Sequence, residues 1–435
     1  MDKRIPHSLG SVGRCWIALA MVVGIVLAAP QPALAEHDGF LKRDGRRLFP
    51  IGFYELPKED AKLKAMAESG VNLVRCRTRA DLDRVGALGM MGVVPLSVQS
   101  GATDKLRKLV ASLQDHPALA AWEGPDEVVW NFTAFSGLHR KQGVHKSPGE
   151  WWRQTPRAVS YSQERAGKLI PKLHEGIKLV RSLDDRNRPF WINEALNSDV
   201  QYVRQYLDAV DVTGCDIYPI NKGSRRVVSM GFATERWKQV GRGKPVWMVL
   251  QAFAWSELGE YYGVKETAYP TFAESRFMAY DVIVHGARGI LYWGSHYLKS
   301  AAFRESVYAL TSELAALQPF LVAPEEKGVR VTVIESYDMR DLLGVRVSAR
   351  RVGKDWLIIL VNEDDRRHMG VEVAGLTPLN GQSLELLYGQ EAVTVGRGEF
   401  VTRIRPLEVK VFATGRKWET SRRSGRDYIQ AASEK

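Results

Sequence analysis

The 435-residue sequence predicts an α/β fold, a (β/α)8 TIM barrel followed by a small antiparallel β-sandwich. Three observations carry the prediction. From Leu48 to about Pro319 the chain repeats a short apolar run, a turn and an amphipathic helical segment. Eight such runs fall within about 250 residues, the size of one barrel. After "APEEKG" (323–328) the apolar period changes to two, the alternation of strands with one buried face.

The eight runs are "LFPIGFY" (48–54), "VNLVRCR" (71–77), "MGVVPLSV" (91–98), "ALAAWEG" (118–124), "PFWINEA" (189–195), "VDVTGCDIY" (210–218), "PVWMVLQAF" (245–253) and "ARGILYWGS" (287–295). Each is rich in β-branched or aromatic residues and apolar on both faces, as strands of a buried parallel sheet are. Helical patterns separate them. "PKEDAKLKAMAESG" places Ala61, Leu63, Met66 and Ala67 on one side and stops at Gly70, a residue suited to a helix C-terminus. A doubly wound sheet is the rival, but "GFYELPKED" after the first run lacks the glycine-rich phosphate turn of such sheets. The one long interruption, about Val128 to Ser160, carries Trp130, Phe132, Trp151 and Trp152. Its place after the fourth strand makes it a lid or substrate wall, with a solvated insertion as the alternative.

Beyond the barrel, "VRVTVIES", "LLGVRVSARRV", "DWLIILVNED", "MGVEVAG", "SLELLY" and "LEVKVFAT" read as sandwich strands. The expected divisions are a signal peptide over 1–35, a barrel over 36–322, a sandwich over 323–414 and a disordered tail over 415–435. Lys3, Arg4 and Arg14 lead into an apolar stretch from Cys15 to Ala29, and Ala33-Leu34-Ala35 supplies a cleavage site after Ala35. That stretch, about 15 residues, is short for a bilayer span, so no stable membrane anchor is expected. The expected location is secreted or periplasmic. The tail is charged and lacks apolar periodicity.

The net charge of +11 is scattered rather than striped, which argues against a nucleic-acid partner and leaves anionic polysaccharide open. Of three cysteines, Cys15 lies in the expected signal, and Cys76 and Cys215 fall on strands across the barrel from each other. That is too far for a bridge, so two free, buried thiols are expected.

In a barrel of this kind the C-terminal ends of the strands face the active site. Those ends supply Tyr54, Glu55, Arg75, Gln99, Glu123 to Glu127, Asn193, Glu194, Asp216, Tyr218, Gln251 and Trp293. They include no His/Cys cluster at metal-ligand spacing, no phosphate-binding glycine loop and no nucleophile elbow. No metal and no cofactor are therefore expected. Acids, amides and aromatics suit sugar chemistry instead. One carboxylic acid protonates the leaving oxygen, a second carboxylate acts as nucleophile or water base, and aromatic faces stack on sugar C–H surfaces. Trp122, Trp130, Tyr218, Trp255 and Trp293 are the candidate stacking rings, each with core packing as its plain alternative.

With "HPALAAWEGPDE", "RSLDDRNRPFWINEA", "DVTGCDIYPI" and "ARGILYWGSHY" in this order, roughly Phe49 to Thr414 resembles, as a divergent example, the β-galactosidase-like, family 42-like barrel glycoside hydrolases of the large retaining clan. The resemblance implies an exported glycosidase acting on an oligo- or polysaccharide. It places the general acid/base at Glu127, with Asp126 where the clan has Asn, and Arg75 at an arginine that orients the acids. It puts the nucleophile at the end of the seventh strand, where this chain has Gln251, an amide that cannot serve. Asp216 is then the favoured second carboxylate, ahead of Glu194, Glu257 and Glu55. Tyr54, Arg75, Trp122, Asp126, Asn193, Glu194, Tyr218, Gln251, Trp255 and Trp293 are expected to bind substrate. Retention and inversion both stay open, as do two other readings, a non-catalytic glycan-binding barrel and an envelope transglycosylase.

Overall fold

The computed structural model describes residues 37–134, 143–147, 150, 153–259, 262–335, 344–422 and 426–429. The expected signal peptide, and Trp151 and Trp152 of the expected lid, lie outside them. Eight parallel strands close a barrel: β1 (Ile51–Phe53), β2 (Leu73–Arg75), β3 (Met91–Pro95), β4 (Leu119–Glu123), β5 (Phe190–Ala195), β6 (Val212–Asp216), β7 (Val246–Gln251) and β8 (Gly289–Trp293). Each lies within one of the eight apolar runs. β8 pairs with β1 through Ile290–Ile51 and Leu291–Gly52, which shuts the ring.

The early helices bury one stripe each against the strands. Leu63 and Met66 of α1 (Asp60–Glu68) and Leu82 and Val85 of α2 (Arg79–Ala87) are the buried residues of their helices. Thr78 and Asp81 form a capping box that starts α2, satisfying amides that would otherwise be orphaned. The others relevant below are α3 (Asp104–Leu113), α4 (Val128–Phe132), α5 (Pro156–Leu183), α6 (Val200–Tyr206), α7 (Ser229–Val240), α8 (Phe272–Val284) and α9 (Ala301–Ala316). In contrast to the early helices, α8 and α9 are buried on all sides along most of their length.

Strand parity divides the core in two. Leu73, Met91, Val93, Ala121, Trp191, Val212, Trp247, Val249 and Leu291 fill the barrel interior, while Val74, Cys76, Trp122, Ile192, Cys215, Met248 and Leu250 face the helices. Trp191 fixes the middle layer. A Cβ on Gly214 would sit 2.5 Å from its Nε1, so the neighbouring strand has no side chain at that level. Cys76 and Cys215 are free and buried, as expected. Their thiols are pushed up by burial, Cys76 to about 12, so neither is a ready nucleophile.

The chain then builds two antiparallel sheets. β9 (Arg330–Glu335), β12 (Met369–Ala374) and β15 (Glu399–Ile404) form one, in the order β9-β12-β15. β10 (Val345–Val352), β11 (Asp355–Asn362), β16 (Val409–Ala413), β13 (Ser383–Leu386) and β14 (Ala392–Thr394) form the other, in that order. Val371, Val373, Phe400, Ile358, Leu360 and Phe412 pack between them. β14 and β15 were not among the expected strands. β14 is three residues long, and β15 alternates buried Phe400, Thr402 and Ile404 with exposed Val401 and Arg403. An apolar residue facing solvent blurs the period-two signal there.

The expected disorder from 415 onward does not hold for the described part of the tail. Trp418 packs on Phe320 with ring centroids 4.6 Å apart. The Thr420 amide donates to the Tyr388 hydroxyl at 2.6 Å, and Ile429 is buried. A few anchoring side chains hold a segment whose average composition is that of a disordered one.

Candidate active site

The C-terminal ends of β4 and β6 bring Asp126, Glu127 and Asp216 together around Asn193 of β5. β4 runs into Gly124-Pro125-Asp126-Glu127, and Glu127 begins α4 in a left-handed backbone conformation, φ 50° and ψ 42°. That conformation costs a non-glycine residue about 1–2 kcal/mol. It is held by the Glu127 amide donating to the Asn193 carbonyl at 2.9 Å and by the Asn131 amide donating to the Glu127 carbonyl at 2.8 Å.

The Glu127 side chain does not cap its own helix. Glu194 does so instead, accepting from the Val129 amide at 3.0 Å and the Trp130 amide at 3.4 Å. The Ser198 and Tyr206 hydroxyls complete its shell at 2.7 and 2.9 Å. Glu194 faces outward from β5, is fully buried and belongs to the scaffold, so its expected role as a substrate ligand is corrected. Its work as a cap frees Glu127.

The freed carboxyl of Glu127 meets Asp216, the inward residue at the end of β6, in direct hydrogen-bond contact. Two carboxyl oxygens hold that distance only with a proton between them. Burial first, then repulsion from Asp126, pushes Glu127 up to about 7, partly offset by its bond with Asp216. Asp216 is pushed well up by burial, then by Glu127 and Asp126. The pair thus keeps a proton toward neutral pH.

Neutral donors surround it. Asn193 Nδ2 donates to Asp126 Oδ1 and to Asp216 Oδ2, both at 3.1 Å. The Tyr54 hydroxyl donates to Asp126 at 3.3 Å and the Tyr218 hydroxyl to Asp216 at 3.2 Å. Parity accounts for Asn193, since Trp191 fills the interior and Asn193 is the next inward residue of β5.

Arg75 lies close by but is held. Its Nε and Nη2 donate to the two oxygens of Glu123 at 2.6 and 2.8 Å, and its guanidinium lies 4.8 Å from the centre of the Tyr54 ring. Glu123, two residues after inward Ala121 on β4, is the strand-end acid to which no separate role was assigned from sequence. Burial pushes it up to about 7 despite Arg75.

An aromatic wall adjoins the pair. Tyr218 and Trp293 stack with centroids 5.4 Å apart and planes 23° apart, with Phe253 edge-on at 5.1 and 5.0 Å. Trp255 adds a further edge, its Nε1 donating to the Tyr218 carbonyl at 3.3 Å. Trp293, Tyr218 and Trp255 are only partly buried. Trp130 is partly buried at the start of α4.

Two further expectations fail on geometry. Trp122 points out of the barrel into the helix layer, is 1% exposed, and donates from Nε1 to Asp184 at 2.8 Å. Gln251 does reach the strand end, but its amide is consumed. Its Oε1 accepts from the Ile220 amide at 3.1 Å, and its Nε2 donates to the carbonyls of Ile220 and Phe253 at 2.9 and 3.0 Å. It fastens the β6–α7 loop rather than offering hydroxyl contacts. Glu55 and Glu257 are likewise engaged. Glu55 accepts from the amides of Gly294 and Ser295, and Glu257 accepts from the Ala254 and Lys299 amides and the Tyr269 hydroxyl.

Among the described residues, one group with metal-ligating atoms drawn together is Asp281, His285 and Glu363, within 4.8 Å of one another. It lies between α8 and the loop after β11, away from the mouth.

Comparison with solved structures finds the barrels of glycoside hydrolases. A glycoside hydrolase family 5 protein from Bacteroides vulgatus is 13% identical over 89% of this chain and 96% of that one, with a TM-score of 0.50. A cold-adapted β-galactosidase from Rahnella is 9% identical over 84% and 98%, with a TM-score of 0.49. A β-galactosidase from Marinomonas ef1, 13% identical with a TM-score of 0.43, is matched over 62% of this chain and only 60% of its own length. At such identities the likeness is one of fold. No family model and no curated protein matches the sequence.

Proposed function

We propose that the chain is an exported glycoside hydrolase, of the retaining clan and related to its family 42-like members, whose acid/base machinery is the Glu127–Asp216 pair. The observation that carries the reading is a proton-sharing carboxyl pair at the mouth of the barrel, beside partly exposed stacked aromatics. Carboxyls that stay protonated near neutral pH are suited to protonate a glycosidic oxygen. In the proposed cycle Glu127 passes the shared proton to the leaving oxygen, which leaves Asp216 ionised as nucleophile or water base. The water that completes cleavage returns a proton to the pair and its hydroxyl to the sugar. Asn193 and Tyr218 hold Asp216 in place, and Asp126 keeps the pair's affinity for its proton high. Arg75 positions Glu123 and the Tyr54 ring, and Trp293, Tyr218 and Trp255 carry the sugar faces.

The pair is in contact, closer than the roughly 5–5.5 Å of retaining or 6.5–9.5 Å of inverting sites. The sugar therefore has to part it, and the anomer first released, read by NMR, decides between the two courses. The test of the function itself is hydrolysis of an oligosaccharide panel by the wild type and Glu127→Gln. Turnover that the variant loses supports the reading. Glycan binding by the wild type with no turnover on any member replaces it with a non-catalytic glycan-binding barrel. The locked Gln251 favours that second reading, because β7 then offers no carboxylate.

A further inference from the structure

Away from the mouth, Asp281, His285 and Glu363 meet between α8 and the loop after β11. Asp281 and His285 stand four residues apart, on one face of α8 and its C-terminal cap. All three side chains are buried. Each has two polar atoms, and in each one atom is engaged by a residue outside the group. Asp281 Oδ2 accepts from the Gly231 amide of α7 at 2.7 Å. Glu363 Oε2 accepts from Arg346 Nε of β10 at 3.0 Å, and His285 Nδ1 lies 3.5 Å from Glu235 Oε2 of α7. The three remaining atoms face one another. His285 Nε2 is 2.7 Å from Glu363 Oε1 and 3.8 Å from Asp281 Oδ1. That Oδ1, on a residue 0% exposed, has no hydrogen-bond partner among the described residues. A buried carboxylate oxygen without a donor is costly.

From this convergence we infer that Asp281, His285 and Glu363 hold a divalent first-row metal ion, zinc foremost, that clamps α8 of the barrel to the end of β11 in the sandwich. One imidazole nitrogen and two carboxylate oxygens are a donor set for zinc and its neighbours, whereas calcium and magnesium take oxygens. Bonds of about 2.0–2.2 Å set ligand atoms roughly 3–4 Å apart, which the 3.8 Å between Nε2 and Oδ1 already meets. The 2.7 Å between Nε2 and Oε1 is a hydrogen bond. It opens by about 0.5–1 Å when the ion takes the place of the proton, which leaves to solvent. The partners of the other three atoms fix each ligand's orientation, as the outer neighbours of metal ligands do. A Cβ on Gly231 would stand 2.6 Å from Nε2 and 2.7 Å from Asp281 Oδ2, so only glycine lets α7 bring its amide to Oδ2 without crowding the ring nitrogen. The charges agree. The carboxylates of Asp281, Glu363 and Glu235 face Arg346 and Lys238 in the described ion pairs, one negative charge in excess before the imidazole is counted. A proton on His285 meets that excess in the metal-free chain, and the ion meets it in the bound one. The expectation of no metal was drawn from the strand ends, whereas this group pairs a helix with a residue 78 positions further on.

The test titrates full-length protein, stripped with EDTA and dialysed, with zinc chloride in a calorimeter and follows its melting temperature. The expected result is one zinc per chain, released again by EDTA, and a melting temperature raised by a few degrees at saturating zinc. Asp281→Asn/Glu363→Gln changes little volume but replaces both carboxylates. It is expected to weaken zinc binding at least 100-fold and to remove the thermal response, with circular dichroism checking the fold. Wild type that binds no zinc, or a folded double variant that binds it as tightly as the wild type, overturns the inference. If the double variant does not fold, anomalous scattering from zinc-soaked crystals of the wild type decides. A peak among the three side chains supports the site, and the lack of one there overturns it. The test needs no substrate, so its outcome is independent of the hydrolysis panel.

Discussion

Two clusters of buried acids can be set side by side, one at the barrel mouth and one where the barrel meets the sandwich. At the mouth, Glu127, Asp126 and Asp216 are surrounded by the neutral donors Asn193, Tyr54 and Tyr218, and the nearby Arg75 is bound to Glu123. At the seam, Asp281 and Glu363 face the His285 imidazole. Its Nε2 lies 2.7 Å from Glu363 and 3.8 Å from Asp281, and Arg346 donates to the other Glu363 oxygen at 3.0 Å. Burial pushes all of these carboxyls up, but at the seam the bonds from His285 and Arg346 outweigh it and Glu363 is held low. Asp281, without a cation in hydrogen-bond contact, still rises to about 8. The difference teaches what each cluster is for. Acids matched by cations fasten elements together, whereas acids matched only by one another hold a proton ready for transfer.

Activity should separate the clusters most. Glu127→Gln is expected to lower kcat by about 10²- to 10⁴-fold, the usual share of a general acid, while Glu363→Gln leaves it within about twofold. Steady-state kinetics on any cleaved member of the panel checks this. Equal losses in both variants would erase the distinction.

Stability should separate them in the opposite sense. Glu363→Ala strands the buried His285 beside the 0% exposed Asp281, while the half-exposed Arg346 turns to solvent, so a loss of about 1–3 kcal/mol is expected, the cost of a buried polar group left without its partner. Asp216→Asn removes an acid that lacks a cation and keeps the contacts to Asn193 and Tyr218. Its effect should lie between neutral and a gain of about 2 kcal/mol. Urea unfolding measures both, and a destabilised Asp216→Asn would mean that the mouth cluster is structural after all.

The pH dependence sharpens the same contrast. Glu127 titrates near 7 when folded and near the ordinary glutamate value of about 4.3 when unfolded. In that window the folded state binds more protons, so this group's contribution is present at low pH and is lost as pH rises through 7. Glu363, held low, contributes above the ordinary range and loses its contribution as pH falls. Melting temperatures from pH 5 to 8 should therefore fall less steeply for Glu127→Gln than for the wild type, by a few degrees at most. Identical slopes would show that Glu127 ionises normally.

How much of this was legible in the sequence depends on the kind of signal. The eight strands were, because buried parallel strands are apolar on both faces and the helices between them are not. Asn193, Asp216 and Glu127 were found as strand-end polar residues. Which of two neighbours faces inward was not found, because a strand apolar on both sides carries no parity mark. Glu194 and Trp122 were misplaced for that reason, and only the three-dimensional placement of Trp191 and Ala121 resolves their register. Gln251 faced the right way, but the loop backbone that consumes its amide comes from Ile220, 31 residues away.

The smallest expected effect tests that parity argument directly. Trp122 was a candidate stacking ring, and its indole now lies between the barrel and its helices with one polar tie, to Asp184. Trp122→Phe keeps most of the ring, removes the donor and leaves the Asp184 oxygen that accepted from it with the Arg188 amide at 3.1 Å. The expected cost is about 0.5–1.5 kcal/mol of stability, the worth of one hydrogen bond whose acceptor remains satisfied, with KM for any substrate unchanged. The same substitution at Trp293, which is partly exposed in the aromatic wall, should move KM and leave stability nearly alone. A KM shift on Trp122→Phe comparable to that on Trp293→Phe would mean that the β4 register is wrong, and with it the inward aim of Glu123 and the approach of Glu127 to Asp216.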